Sequence, residues 1–171
     1  MAPKSLLRHP AAVSQLRELA EGAFRPVLPD DDADPREISR VVFCSGKLYM
    51  ELAAARKAQG SRHVALIRLE ELYPLHDEEL RKAIAPYRAG VQLVWAQEEP
   101  SNMGAWDYVD LHLSPRLPSP LQLVSRPASA SPAAGSATRH HLEQDQLVRE
   151  ALGEPAPRLQ RADTRAAVQE R

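Results

Sequence analysis

Val41-Val42-Phe43-Cys44-Ser45-Gly46-Lys47 is the stretch from which the rest of this 171-residue chain can be read. Val41 to Cys44 have the apolar, β-favouring composition of a strand buried on both faces, and Ser45-Gly46 makes a small-residue turn. A helical pattern starts at once, with Leu48, Leu52 and Ala55 on one face and Gly60 placed to stop it. In an open α/β sheet such a turn lies at the carboxyl end of its strand. There Ser45, Gly46 and Lys47 would offer a hydroxyl, backbone amides and a cation to an anion.

Working outward, the pattern repeats. His63 to Leu69 reads as a second strand, Asp77 as the cap of a helix with Leu80 and Ile84 facing inward and Pro86 ending it, and Val91 to Ala96 as a third strand. Asn102 to Leu113 predicts a helix with Trp106, Val109 and Leu113 on one side, Leu121 to Ser125 a fourth strand, and Thr138 to Leu152 a last helix. Strands alternating with helices through short connections imply right-handed crossovers, so the expected fold is a three-layer α/β/α domain with a mostly parallel sheet.

Upstream, residues 1–37 read as a lead-in: a helix-like stretch with Val13, Leu16, Leu19 and Ala20, then an acidic loop from Pro29 to Pro35 with four aspartates, expected to be exposed. The compact domain is expected over 38–153. The tail 154–171, with its prolines and charges, is expected to be disordered.

Lys and Arg number 22 against 23 Asp and Glu, with 5% aromatic content and no basic block, which argues against a nucleic-acid surface. Cys44 is the single cysteine, so an internal disulfide framework is excluded and a reducing compartment is compatible. No apolar run approaches the ~18 residues of a membrane span, and Met1-Ala2-Pro3-Lys4 leads into no apolar signal core. The reading is a soluble, cytoplasmic protein.

Parallel strands bring their carboxyl ends to one edge of the sheet. That edge would carry Ser45 and Lys47, then Arg68 and Glu70, then Gln97, Glu98 and Glu99, then Arg126. Two interpretations stay open: a phosphate or carboxylate pocket built on Lys47, Arg68 and Arg126, or an interface where these groups pair with one another or with a neighbouring domain. Cys44, at the end of a buried strand, reads as a small hydrophobe rather than a nucleophile. Glu98 and Glu99 alternate across an extended backbone and so do not form a carboxylate pair. His140-His141 beside Glu143 reads as a solvated helix face, not a metal site. No glycine-rich dinucleotide or phosphate-loop motif occurs.

Several strings resemble the C-terminal end of the thiamine-diphosphate-dependent decarboxylase component of the 2-oxoglutarate dehydrogenase complex. They are Pro3 to Pro10, Cys44-Ser45-Gly46-Lys47, Arg68-Leu69-Glu70 followed by Leu72-Tyr73-Pro74, Gln97-Glu98-Glu99-Pro100 with Asn102, Gly104-Ala105-Trp106, and Arg126 to Gly135. They come in that family's order over residues 3–152, and the 2-oxoadipate homologue is the nearest rival.

The resemblance implies a transketolase C-terminal-like domain, the last of three α/β domains in a homodimeric enzyme that decarboxylates 2-oxoglutarate and passes a succinyl group to a lipoyl succinyltransferase. It implies that thiamine diphosphate and magnesium are held by the earlier thiamine-binding domains, so this chain, which would be a fragment or split piece, is expected to hold no catalytic residue and to be inactive alone. Its implied role is to support the dimer and the domain interface. Some relatives suggest an effector platform for acetyl-CoA or AMP, carried over to Ser45, Lys47 and Arg126. The alternatives are a stand-alone acyl-CoA or nucleotide sensor and a non-functional gene remnant.

Overall fold

The computed structural model describes residues 3–154, so the expected disorder of the tail falls outside the described residues beyond Glu154. A short 3-10 turn at Lys4–Arg8 precedes α1 (Leu16–Glu21), β1 (Val27–Leu28), β2 (Arg40–Cys44) and α2 (Lys47–Gln59). Then come β3 (Val64–Leu69), α3 (Asp77–Ile84), β4 (Gln92–Pro100), α4 (Trp106–His112), β5 (Leu121–Arg126) and α5 (Ala137–Ala151).

The sheet order is β1-β3-β2-β4-β5, with β2 to β5 parallel and β1 antiparallel at the edge. Strand alternation splits the core in two. Val41, Phe43, Ile67, Leu93 and Trp95 pack with α3 and α4, while Val42, Cys44, Leu66, Val94 and Ala96 pack with α2 and α5. Both faces are covered, which gives the expected three layers. Gly60 ends α2 in the left-handed conformation, φ 64°, as its position predicts. Arg40 donates to Ala151 O (2.8 Å) and Glu150 O (2.9 Å), placing a cation on the carbonyl end of α5.

Four details differ from the sequence reading. The lead-in contributes a strand: Val27 pairs with Leu69 and is buried, so the sheet reaches back past residue 38. In the acidic loop, Asp30 is not exposed; its side chain is 5% accessible, binds Arg56, and accepts from Leu66 N at 2.7 Å. That carboxylate continues the β3 edge where β1 has ended. Asp77 is the first residue of α3, not its cap, which is His76 without a capping side-chain bond. Finally, β4 runs on to Pro100, so Gln97, Glu98 and Glu99 lie within the strand rather than beyond it. No helix among the described residues is long and apolar enough to cross a membrane.

Candidate functional site

At the carboxyl edge of β2 and β4 an open cleft of about 640 Å³ lies between the start of α2 and the β4–α4 connection. Ser45, Lys47, Glu98 and Glu99 line it together with Tyr73, Gly104 and Tyr108. Pro3, at the other end of the chain, lines it too.

The connection is built by Gln97. This side chain is 4% accessible; its Oε1 accepts from Trp95 Nε1 at 3.0 Å, and its Nε2 donates to Met103 O (2.7 Å) and Pro100 O (3.2 Å). One buried amide thus satisfies the indole above it and two carbonyls of the turn. Gly104 closes the turn at φ 73°, where a Cβ would come within 3.0 Å of both Gln97 Nε2 and Glu99 Cβ. Asn102 extends the framework across 27 residues. Its Nδ2 donates to Ser129 O and its Oδ1 accepts from Ser129 N, both at 3.0 Å, fastening the loop that follows β5.

On the opposite face of β4, Glu98 Oε1 receives Lys47 Nζ at 2.6 Å and Gln144 Nε2 at 2.9 Å. Lys47 also pairs with Glu51 one turn along α2, and Gln144 Nε2 donates to Glu51 Oε2 at 2.6 Å. Two carboxylates therefore share one ammonium and one amide. Burial alone would lower the Lys47 pKa, but the bonds to Glu51 and Glu98 outweigh it and hold Lys47 above its ordinary value. Gln144 Oε1 is buried and meets no donor among the described residues.

Arg126 joins this group from β5. It donates through Nε to Glu98 O and through Nη2 to Pro132 O at 2.8 Å, and lies 3.7 Å from Glu143, which Arg139 also pairs at 2.7 Å. Arg68 stands apart. It lies 2.8 Å from Glu70 Oε1, at an angle short of a hydrogen bond, and its guanidinium stacks 4.5 Å above the Tyr49 ring. Of the four edge residues singled out from sequence, Lys47 and Arg126 come together through Glu98, Ser45 lines the cleft with Lys47 but not with Arg126, and Arg68 does not join them.

Glu51 and Gln144 were missed, Asn102 was named only within a resembling string, and Glu143 only beside His140-His141. Glu51, four residues after Lys47, and Glu143, four after Arg139, stand at a helical spacing that could have found them. Burial pushes the Cys44 thiol up to about 12, more than the Arg68 charge offsets, and leaves no thiolate to attack a substrate at neutral pH. The His140 and His141 rings are 5.7 Å apart, and among the described residues no three His, Cys, Asp or Glu side chains converge on a metal position.

Comparison with known proteins places these features in a family. The profile of the 2-oxoglutarate dehydrogenase C-terminal family matches residues 13–152. The 2-oxoglutarate dehydrogenase E1 component of Haemophilus influenzae is 46% identical over 155 residues, covering 89% of this chain and 17% of the relative. That of Azotobacter vinelandii is 46% identical over 159 residues, with the same coverage. The 2-oxoadipate dehydrogenase complex component E1 of Xenopus laevis is 46% identical over 149 residues, covering 85% of this chain and 16% of the relative. The chain thus spans about one sixth of the length of these relatives.

Proposed function

The chain belongs to the 2-oxoglutarate dehydrogenase C-terminal family, and from that premise we propose that it is a non-catalytic domain of a thiamine-dependent decarboxylase in the cytoplasm. Its work is to complete a fold interface and the homodimer around thiamine-binding domains that lie elsewhere in the enzyme. The enzyme as a whole would decarboxylate 2-oxoglutarate, with 2-oxoadipate as the competing substrate, and hand the acyl group to a lipoyl acyltransferase.

The observation that carries this reading is the run of exposed apolar side chains in the lead-in, of which Val13, Leu19 and Phe24 share one open hollow. Leu7, Val13, Leu16, Leu19 and Phe24 are 68–81% exposed within 18 residues of sequence, a density that marks a docking surface. Glu51 and Glu98 do not suit a magnesium diphosphate. Such a site needs open oxygens, and between Glu51 and Glu98 an ammonium already stands. Thiamine diphosphate, when bound by the enzyme, supplies the carbanion stabilisation that side chains cannot. No step of that chemistry is assigned to residues of this chain.

A second reading adds an effector. Arg126 and Arg139 flank a cavity of about 250 Å³ walled by Ser129, Ser131 and Glu143, where a phosphate of a ligand such as acetyl-CoA or AMP would compete with the Glu143 carboxylate for the two guanidinium groups.

Co-expression tests both readings. The chain is expressed with the region upstream of the match from the Azotobacter vinelandii relative, and association is followed by calorimetry with and without millimolar acetyl-CoA or AMP. Co-elution with restored decarboxylation is the expected result. Two components that never associate overturn the domain reading, and an absence of ligand heat overturns the effector reading.

A further inference from the structure

On the side away from β5 the sheet ends on a strand that is only partly covered. β1 pairs Val27 with Leu69 and Leu28 with Arg68, and Pro26 O accepts from Glu70 N at 2.9 Å. The antiparallel ladder therefore covers the carboxyl half of β3 and stops. Pro26 and Pro29 bracket β1 and hold it to two residues. Beside Val64 to Leu66, the amino half of β3, no strand lies on this side among the described residues.

The Val64 carbonyl and the Leu66 amide face out from that bare edge, and one ion pair meets both. Asp30 Oδ2 accepts from Leu66 N at 2.7 Å, Arg56 Nη1 donates to Val64 O at 3.2 Å, and the carboxylate and guanidinium bind each other. The two side chains are 5% and 17% accessible, so they lie packed over the edge. A carboxylate oxygen and a guanidinium N–H here take the places of the backbone C=O and N–H of an absent strand.

What the pair covers is an edge that suits a copy of itself. An antiparallel strand turned about Ala65 would set Val64 O against the Leu66 amide of a second copy and Leu66 N against its Val64 carbonyl. One donor and one acceptor, two residues apart, are thus used twice by a two-fold axis. After His63 the run Val64-Ala65-Leu66-Ile67 is uncharged, apolar and free of proline and glycine, the composition that adds strands when an edge is open.

We propose that Asp30 and Arg56 form an edge guard. Held together they close β3; parted, they leave an edge that pairs with the same edge of a second copy. The guard is independent of the domain and effector readings above.

The test follows hydrogen exchange at the Leu66 amide of the full chain, with sedimentation velocity recording mass, from micromolar to millimolar protein. In Asp30→Ala at low concentration, exchange at Leu66 is expected to quicken about tenfold or more, the loss of one charge-assisted bond. As concentration rises, dimer should form and protection of the same amide should return. Asp30→Asn keeps an acceptor oxygen for Leu66 N and should stay guarded. Arg56→Gln opens the pair from the helix side and gives the same reading where Asp30→Ala does not fold. A dimer in which Leu66 goes on exchanging overturns the edge pairing, because another surface then makes it. Variants with Leu66 open that stay monomeric to millimolar concentration overturn it too. Leu66 exchange unchanged in the opening variants, or already at the rate of unstructured chain in the wild type, overturns the guard itself.

Discussion

Gln97 and Leu16 show how differently two parts of this chain treat their side chains. Around Gln97, in the connection from β4 to α4, a buried amide is bonded to an indole and two carbonyls, and a glycine makes space for it. Around Leu16, in the capped helix α1, the backbone is in order, with Glu18 reaching back to Gln15 N at 2.8 Å, yet Leu16 and Leu19 are 81% and 73% exposed. Local hydrogen bonds shape both regions, but only the first is covered by the rest of the domain. In the connection the buried amide is satisfied within the domain, whereas the apolar side chains of the lead-in stand exposed.

The comparison breaks most visibly if the connection proves dispensable. Gln97→Ala strips partners from Trp95 Nε1, Pro100 O and Met103 O and opens a void in a buried place. The expected loss is about 3 kcal/mol, combining unsatisfied groups with cavity formation. Urea unfolding followed by tryptophan fluorescence measures it. A loss below about 1 kcal/mol would mean that the turn holds itself without the amide.

These two regions were not equally legible in sequence. The strands β2 to β5 announce themselves as apolar runs between turn residues, and the carboxyl-edge location of Ser45 and Lys47 follows from the strand–turn–helix pattern alone. β1 was hidden because two residues between Pro26 and Pro29 show no period. Its place is fixed by edge bonds, including Glu70 N to Pro26 O at 2.9 Å. Arg68 was grouped with Arg126 because parallel strands share an edge, but strand order separates them: β3 and β5 lie on opposite sides of the β2–β4 pair. Gln144 looked like one more polar residue on α5, and its burial makes sense only once Glu51 and Glu98 are beneath it. Asn102 and Ser129 are neighbours only in the folded chain. The alternation that parts Glu98 from Glu99 was readable, but the consequence, one carboxylate used and one free, was not.

A second test titrates the well-packed region. Burial raises the Cys44 thiol to about 12, raises Tyr49, and with Asp30 raises Tyr87 to about 12, while Lys47 is held above its usual value by its carboxylates. Each of these groups keeps its proton more tightly in the folded state than in the unfolded one. Their contribution is complete below the unfolded pKa values and is lost as pH rises towards the folded ones. Stability should therefore hold near neutrality and begin to fall above about pH 9, where unfolded Cys44 ionises first, by about 1.4 kcal/mol per pH unit for each such group. Cys44→Ala should flatten the first part of that fall. An unchanged slope between about pH 9 and 10 in that variant would assign the alkaline loss to other groups.

The smallest effect is expected where the comparison makes its strongest claim. Leu16→Ser and Leu19→Ser remove apolar side chains that already stand in water, so the folded chain forfeits almost no burial and its melting should move by less than about 0.5 kcal/mol equivalent. The same substitutions should weaken association with the upstream region of the enzyme, because the area they remove is the area that association would cover. Measured at two protein concentrations, the melting also reports self-association. A concentration-dependent loss above about 1 kcal/mol would mean that a second copy covers this face, and the lead-in would then be a homotypic contact rather than a seat for another domain.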